Sequence, residues 1–151
     1  MINEAKFIVR ETTIRDLNFS DEVSQTRRSI VRWIALSMGI INPGETRQSA
    51  ISVLDALLYF QFNKNQDPSV PDLSEYINVN WGAINEKTLR YHLLQLKKSN
   101  IINNEKGKYS LVAPNIGSKY DEGAWVNSYM QSVITPISEK MIFALKSLKN
   151  R

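Results

Sequence analysis

The sequence predicts a mainly helical α+β fold that carries one small β-hairpin. Three leucines between residues 89 and 96 recur at the i, i+4, i+7 spacing of a helix that buries one face. After this helix, an apolar pair at 101–102 and an alternating run at 109–112 flank a Lys-Gly-Lys sequence, which is typical of a hairpin turn. Most other apolar segments also show helical spacing, so helices dominate the prediction.

Length and composition bound the class of protein. A chain of 151 residues can bury roughly two thirds of its unfolded surface, enough for one domain with helical extensions. It contains no cysteine, which excludes disulfides, thiolate zinc sites and thiol redox switches. No apolar run approaches the ~20 residues of a membrane span, and the first six residues lack a signal-peptide pattern. We therefore expect a cytoplasmic protein that does not enter a membrane.

Residues 1–47 are predicted to form an N-terminal arm followed by a helix. Weak alternation over 6–17 fits either a strand or an irregular arm, and the apolar spacing over 20–38 predicts a helix that Gly39 ends. Three arginines cluster on one face of this helix beside Trp33, where they either make a second nucleic-acid contact or face the solvent. These are Arg27, Arg28 and Arg32.

Two further helices are predicted before the leucine-rich one. A strongly apolar helix over 50–62 suits the centre of a small core. Asp72 with Glu75 three residues later forms a capping-box pattern, which predicts a short helix through Ile77. The connection that follows, over 78–84, is longer than the turn of a helix-turn-helix usually is.

The leucine-rich helix, predicted over 85–99, carries its own start and stop signals. Asn85 can cap its first turn, and Lys97 and Lys98 lie in its last turn, where the helix dipole favours cations. Asn100 follows as a residue that tolerates the left-handed conformation of a helix end.

This segment resembles a known class of DNA-binding domain. Thr-Leu-Arg-Tyr-His-Leu at 88–93, then Leu96 and Ser-Asn-Ile-Ile at 99–102, is similar to the recognition helix and first wing strand of winged helix-turn-helix regulators of the broad ArsR and MarR type. Asn100 stands where these families usually carry Gly, and Asn also adopts positive φ. The resemblance covers residues 49–114 and implies a winged helix-turn-helix domain at 48–115.

The charge of the chain is concentrated in this helix and hairpin. Between residues 85 and 113 six cations stand against two anions, so 6 − 2 = +4, which equals the net charge of the whole chain. A basic element that also carries Asn, Gln, Thr and Tyr combines attraction to phosphates with groups that reach base edges. Mere solubilisation is the alternative explanation for lysines on such a helix.

The resemblance implies a role for each polar residue of this segment. The N-terminal half of the helix would enter the major groove, with Arg90 as the first choice for guanine. The hairpin lysines would contact phosphates or an adjacent minor groove, and Gly107 would permit the tight turn. Local capping is the alternative for Thr88, and packing on a neighbouring helix is the alternative for Tyr91. The predicted DNA-binding residues are Glu86, Lys87, Thr88, Arg90, Tyr91, Lys97, Lys106, Gly107 and Lys108.

The sequence shows no arrangement of residues that is typical of a catalytic site. His92 is the only histidine, and nothing near it in sequence supplies a nucleophile, a second acid or further metal ligands. Carboxylate pairs at 21–22 and 121–122 each begin a predicted helix, where the dipole favours negative charge. The turn at 42–45 is not a phosphate-binding glycine loop. We expect no enzyme activity, no cofactor and no metal.

Residues 116–151 are predicted to form a C-terminal helical extension. An apolar helical pattern covers 121–148, and Thr135-Pro136 within it makes either two helices or one kinked helix. This extension either folds back on the first helices of its own chain or pairs with a second copy. We expect the homodimer, which would place two recognition helices on half-sites about one DNA turn apart.

The sequence therefore predicts a sequence-specific double-stranded DNA-binding protein that regulates transcription. The helix at 85–99 would read the major groove, and the wing at 103–109 would contact the backbone. Two alternatives remain at this point. One is a winged-helix protein–protein interaction module in a replication or transcription assembly, and the other is an RNA-binding protein.

Overall fold

The computed structural model describes residues 2–151 and confirms a mainly helical α+β protein with one two-stranded antiparallel sheet. The chain divides into two compact units, of which the first ends at Asp55 and the second begins at Ala56. The domain boundaries expected from the sequence, at 47/48 and 115/116, stay predictions.

The first unit is an irregular arm followed by helices. The arm contains a 3₁₀ turn at Glu4–Phe7, and it forms no strand within residues 2–22. A second 3₁₀ turn at Val23–Gln25 precedes helix α1, Arg27–Ser37, and most of helix α2, Ser49–Leu58, also belongs to this unit. Of the two structures considered for residues 6–17, the irregular arm is the one that forms.

Helix α1 is shorter than the helix predicted over 20–38. Thr26 has extended backbone angles, and its hydroxyl accepts a hydrogen bond from the backbone N–H of Ser29 at 3.1 Å. This cap starts the helix at Arg27, so the prediction was wrong at its N-terminal end. The other end was correctly assigned, because Gly39 has a φ of +69° and its N–H donates to Leu36 in a left-handed helix stop.

The second unit contains the remaining elements. Helix α2 continues into a π-helical turn, Tyr59–Asn63, which carries the chain to a loop ending at Ser69. The helices and strands that follow are α3, Val70–Asn80; α4, Glu86–Lys98; β1, Ile102–Glu105; β2, Lys108–Leu111; and α5, Glu122–Leu148.

Helix α3 begins at a capping box different from the one predicted. Ser69 is the cap: its hydroxyl accepts from the backbone N–H of Asp72 at 3.3 Å, and the Asp72 carboxylate accepts from the backbone N–H of Ser69 at 3.0 Å. The assignment of Asp72 as cap with Glu75 was wrong, because Pro71 fits inside the first turn of a helix. The hydrogen bonds from Ser69 hold the pKa of the Asp72 carboxyl below its ordinary value.

Replacing Ser69 with alanine is expected to lower the free energy of unfolding by about 1 kcal/mol, since the first turn loses its side-chain cap. Urea unfolding at neutral pH measures this, with Ser74→Ala inside α3 as the matched control. The lowered pKa of Asp72 stabilises the fold above the ordinary carboxyl pKa, and that contribution disappears as the pH falls through the folded value. The cost of Ser69→Ala should nevertheless persist in acid, because the Ser69 hydroxyl accepts from a backbone N–H that does not titrate, and a cost no larger than that of Ser74→Ala would contradict this cap.

Helices α3 and α4 pack on each other across a short connection. Leu73 and Ile77 of α3 are buried, and so are the leucines of α4 at 89, 93 and 96, which confirms the predicted apolar face. Because α3 extends to Asn80 instead of ending near Ile77, the connection is shorter than the predicted 78–84. Gly82 within it has a φ of +110°, which favours glycine at that position.

Helix α5 is one continuous helix that contains Pro136. Its first half is buried in the second unit through Trp125, Tyr129 and Val133, and the Trp125 and Tyr129 rings stack with centroids 5.3 Å apart. From Ile134 to Leu148 every residue except Ser147 is exposed. The helix therefore divides into a buried proximal half and an exposed distal half.

Candidate nucleic-acid interface

Helix α4 presents a polar face opposite its buried leucines. The Asn85 side chain accepts from the backbone N–H of Lys87 at 2.7 Å, so Asn85 caps the helix as predicted. Thr88 is half-buried, beside the core face. The other predicted contacts on α4 are exposed: Glu86, Lys87, Arg90, Tyr91 and Lys97.

Arg90 is held by a neighbour one helical turn away. Its Nε and Nη2 donate to Oε1 of Glu86 at 3.2 and 3.1 Å, and both side chains remain largely exposed. Such an exposed pair contributes little to stability. The pair does fix one edge of the Arg90 guanidinium. Nη1 makes no hydrogen bond within residues 2–151, so both of its N–H groups remain available to a ligand.

Tyr91 lies on the exposed surface, not against a neighbouring helix. Its side chain is 56% exposed, and its ring contacts the edge of the His92 ring on the same helix at 5.2 Å. Leu94, one turn after Arg90, is 48% exposed. The exposed face of α4 therefore combines charged, aromatic and aliphatic groups.

The end of α4 directs the chain into the hairpin. Asn100 has a φ of +60°, as its position in the sequence predicted, and its N–H donates to Lys97 at 3.0 Å. The N–H of Ile101 donates to Leu96, also at 3.0 Å, which completes a Schellman motif. Ile101 and Ile102 are buried, so the chain enters β1 anchored to the core.

The hairpin has a tight two-residue turn. Lys106 and Gly107 both have positive φ, +53° and +81°, as a type I′ turn requires, and the Asn104 side chain accepts from the N–H of Gly107 at 3.1 Å. Glu105 pairs with Lys108 in the register of the two strands. Lys106, Gly107 and Lys108 are exposed together at the tip, as predicted.

The base of the hairpin is fixed within the second unit. The backbone N–H of Tyr109 donates to the carbonyl of Pro68 at 2.8 Å, and the N–H of Leu111 donates to the side chain of Gln61 at 3.2 Å. Tyr109 and Leu111 are buried. Because α4 and β1 also pack on each other, the helix and the base of the hairpin are held together within the second unit.

Gln61 is the organising polar residue that sequence reasoning missed. It is 1% exposed, its amide oxygen accepts from Leu111, and its amide nitrogen donates to the carbonyl of Lys119 at 2.6 Å. It therefore joins the π-helical turn, strand β2 and the segment before α5. The signal available in the sequence was a single polar residue between two phenylalanines of an apolar helix.

A second polar cluster fixes the segment that leads into α5. The Asp67 carboxylate accepts from Lys119 Nζ at 2.6 Å and from the Tyr120 hydroxyl at 3.2 Å. The hydrogen bond to Asp67 raises the pKa of Lys119, so this ammonium stays charged. Burial, with the nearby Asp67 charge, raises the pKa of the Tyr120 hydroxyl, so this group stays protonated at neutral pH. Since Lys119 is engaged here, it adds no free cation to the surface of α4.

The arginines of α1 have partners inside the first unit. Arg27 Nε lies 2.6 Å from the carboxylate of the buried Asp55, and Arg32 Nη2 donates to the carbonyl of Glu45 at 3.0 Å. These contacts differ from both predicted roles, nucleic-acid binding and solvation. Each of the two arginines is therefore explained by a contact that stabilises the first unit.

A shallow cleft with a cavity volume of about 20 Å³ lies between the end of α4 and the proximal half of α5. It is lined by Asn100, Val112, Trp125, Ser128, Tyr129 and Ser132. Ligand pockets usually enclose about 300–1,000 Å³, and no charged group lines this cleft. It is too small for most organic effectors.

No protein-family model matches this chain, and neither does any curated protein or solved structure. Among residues 2–151, no three acidic or histidine side chains form a group that could hold a metal ion. No helix in the same range combines the length and the apolar character that crossing a bilayer requires.

Proposed function

We propose that this chain is a sequence-specific double-stranded DNA-binding protein of the winged helix-turn-helix class that regulates transcription. The observation that carries the proposal is that two elements packed on each other are both basic and exposed: the polar face of α4 and the hairpin with its Lys106-Gly107-Lys108 tip. Three hydrogen-bonded or packed connections hold the hairpin in place before any ligand arrives. Preorganised donors bind a duplex without first paying the entropy of ordering.

The proposed contacts follow the geometry of a helix in the major groove. Arg90 reads guanine, Lys87 and Tyr91 reach neighbouring bases or phosphates, and Glu86 orients Arg90 through its hydrogen bonds. Lys97 and the hairpin lysines bind phosphates beside the groove. In a homodimer formed through the C-terminal helix, two such surfaces meet two half-sites about one DNA turn apart.

Changing Lys108 to glutamate is expected to weaken binding to duplex DNA about tenfold or more, because one phosphate contact becomes a repulsion. Fluorescence anisotropy with a pool of genomic duplex fragments measures the affinity. Lys146→Glu is the matched control, since it makes the same charge change on an exposed position of the distal half of α5. Equal losses for the two variants would show a general charge effect and would contradict the hairpin contact.

The exposed Leu94 favours a second candidate function, a protein–protein interaction module in a replication or transcription assembly. An aliphatic side chain beside Tyr91 suits a protein surface better than a phosphate backbone. This candidate predicts that Leu94→Lys abolishes partner binding, whereas charge reversal at Lys108 leaves partner binding intact.

A further inference from the structure

The distal half of α5 exposes more apolar surface than any other helix of the described chain. Seven large apolar side chains on it are 49–75% exposed. These are Ile134, Ile137, Met141, Ile142, Phe143, Leu145 and Leu148. Leaving this much apolar surface in water is unfavourable, so this segment is expected to have a partner.

Part of this surface follows a heptad pattern. Its members are Met130, Ile134, Ile137, Met141, Ala144 and Leu148, at successive steps of four, three, four, three and four residues. Leu145 flanks this row at an e position, and Ile142 and Phe143 lie off it at b and c positions. Alternating steps of three and four define the narrow a/d seam of a coiled coil. Pro136 stands at a c position of this repeat, so neither its ring nor the carbonyl it leaves without a donor lies in the seam.

We infer that residues 134–148 pair with the same segment of a second copy of this chain in a two-helix coiled coil. A seam two positions wide in seven matches a partner helix with the same repeat, and the small Ala144 lets two helices approach closely. Helices that lie on membranes present a wider apolar face with cations along the other side. This inference deepens the proposed homodimer, and it rests on the exposed seam and needs no DNA.

The area of the seam sets the strength of the pairing. A fully buried aliphatic side chain removes roughly 60–120 Å² from water, so the four large side chains of the seam and the flanking Leu145, about three-fifths exposed, cover about 300 Å² per copy. Both copies together then bury about 600 Å² of apolar side chain, in the range of weak, transient interfaces. The expected dimer dissociates in the micromolar range.

Sedimentation velocity on the full chain, over a concentration series without DNA, tests the inference. Wild type should shift from a 17.3 kDa monomer to a dimer of twice that mass as concentration rises. Met141→Glu places a carboxylate at the centre of the seam and should raise the dimer dissociation constant at least about tenfold. Phe143→Glu is the matched control: Phe143 is 75% exposed but lies off the seam, so this variant should dimerise like wild type.

Each outcome decides the inference. A wild type that stays monomeric at the highest concentration overturns it, and so does a Met141→Glu variant that dimerises like wild type. If Met141→Glu and Phe143→Glu weaken the dimer equally, the inference is also overturned, because dimerisation then does not depend on the a and d positions. Met141→Leu should retain the dimer, which separates loss of the seam from misfolding of α5. Loss of DNA binding alone leaves all these results unchanged, so the two proposals fail independently.

Discussion

Replacing Gln61 with leucine is expected to lower the free energy of unfolding of the second unit by about 2–4 kcal/mol. The Gln61 side chain satisfies the buried N–H of Leu111 and the carbonyl of Lys119, and leucine satisfies neither. Each buried polar group left without a partner costs about 1–3 kcal/mol. Urea unfolding followed by circular dichroism measures the change.

The matched control for this variant is Gln66→Leu, which makes the same replacement at an exposed position a few residues later. It should change stability by less than about 0.5 kcal/mol. If Gln61→Leu is as stable as the control, the side chain does not anchor the hairpin. Gln61→Glu is informative too, because it keeps the acceptor for Leu111 but loses the donor to Lys119.

Changing Arg90 to glutamate is expected to weaken binding to a selected DNA site about a hundredfold, the largest effect expected for a single residue of α4. A good bidentate contact to guanine contributes about 1–3 kcal/mol of discrimination, and reversal of the charge adds repulsion from phosphates. It also puts two carboxylates one helical turn apart, at Glu86 and position 90. Anisotropy titrations on selected and scrambled duplexes measure both affinity and specificity.

Arg47→Glu is the control for Arg90→Glu, since Arg47 is exposed in the first unit and was not predicted to bind DNA. Arg90→Lys keeps the charge but not the bidentate fork, so it should bind the scrambled duplex like wild type and lose preference for the selected one. A variant that loses affinity for both duplexes equally would make Arg90 a phosphate contact only.

The parts of the fold that the sequence predicted are those with local causes. Asn85 caps α4, Asn100 ends it and Gly107 occupies the hairpin turn, because each effect is decided within a few residues of backbone. The leucines of α4 at 89, 93 and 96 face the core because their spacing fixes one helical face. α4 and the hairpin also carry the residues that the sequence predicted to bind DNA, and their contacts with DNA stay predictions.

The errors arose where two local signals competed. Ser69 and Asp72 both prefer the cap position, and Pro71 between them is compatible with either start. Before α1, the apolar pattern continued upstream of Thr26, but the cap formed at Thr26. At Pro136 the alternatives of two helices and one were close, since a single missing N–H removes only one hydrogen bond from a long helix.

The contacts beyond reach of the sequence are those between distant residues. Arg27 pairs with Asp55, and Gln61 reaches Leu111 and Lys119, across separations that no periodicity encodes. Arg27 was predicted as a possible nucleic-acid contact because the sequence shows its positive charge but not the carboxylate that pairs with it. The exposed distal half of α5 was likewise indistinguishable from its buried proximal half, since both halves repeat apolar residues every three or four positions.

The most direct test of the proposed function is the salt dependence of wild-type binding to duplex DNA. With roughly three to five phosphate contacts, the logarithm of affinity should fall against the logarithm of salt with a slope between about −2.7 and −4.5. Single-stranded and structured RNA of the same length should bind more weakly. No binding to duplex DNA at low salt, or stronger binding to RNA, would contradict the proposal that α4 and the hairpin recognise double-stranded DNA.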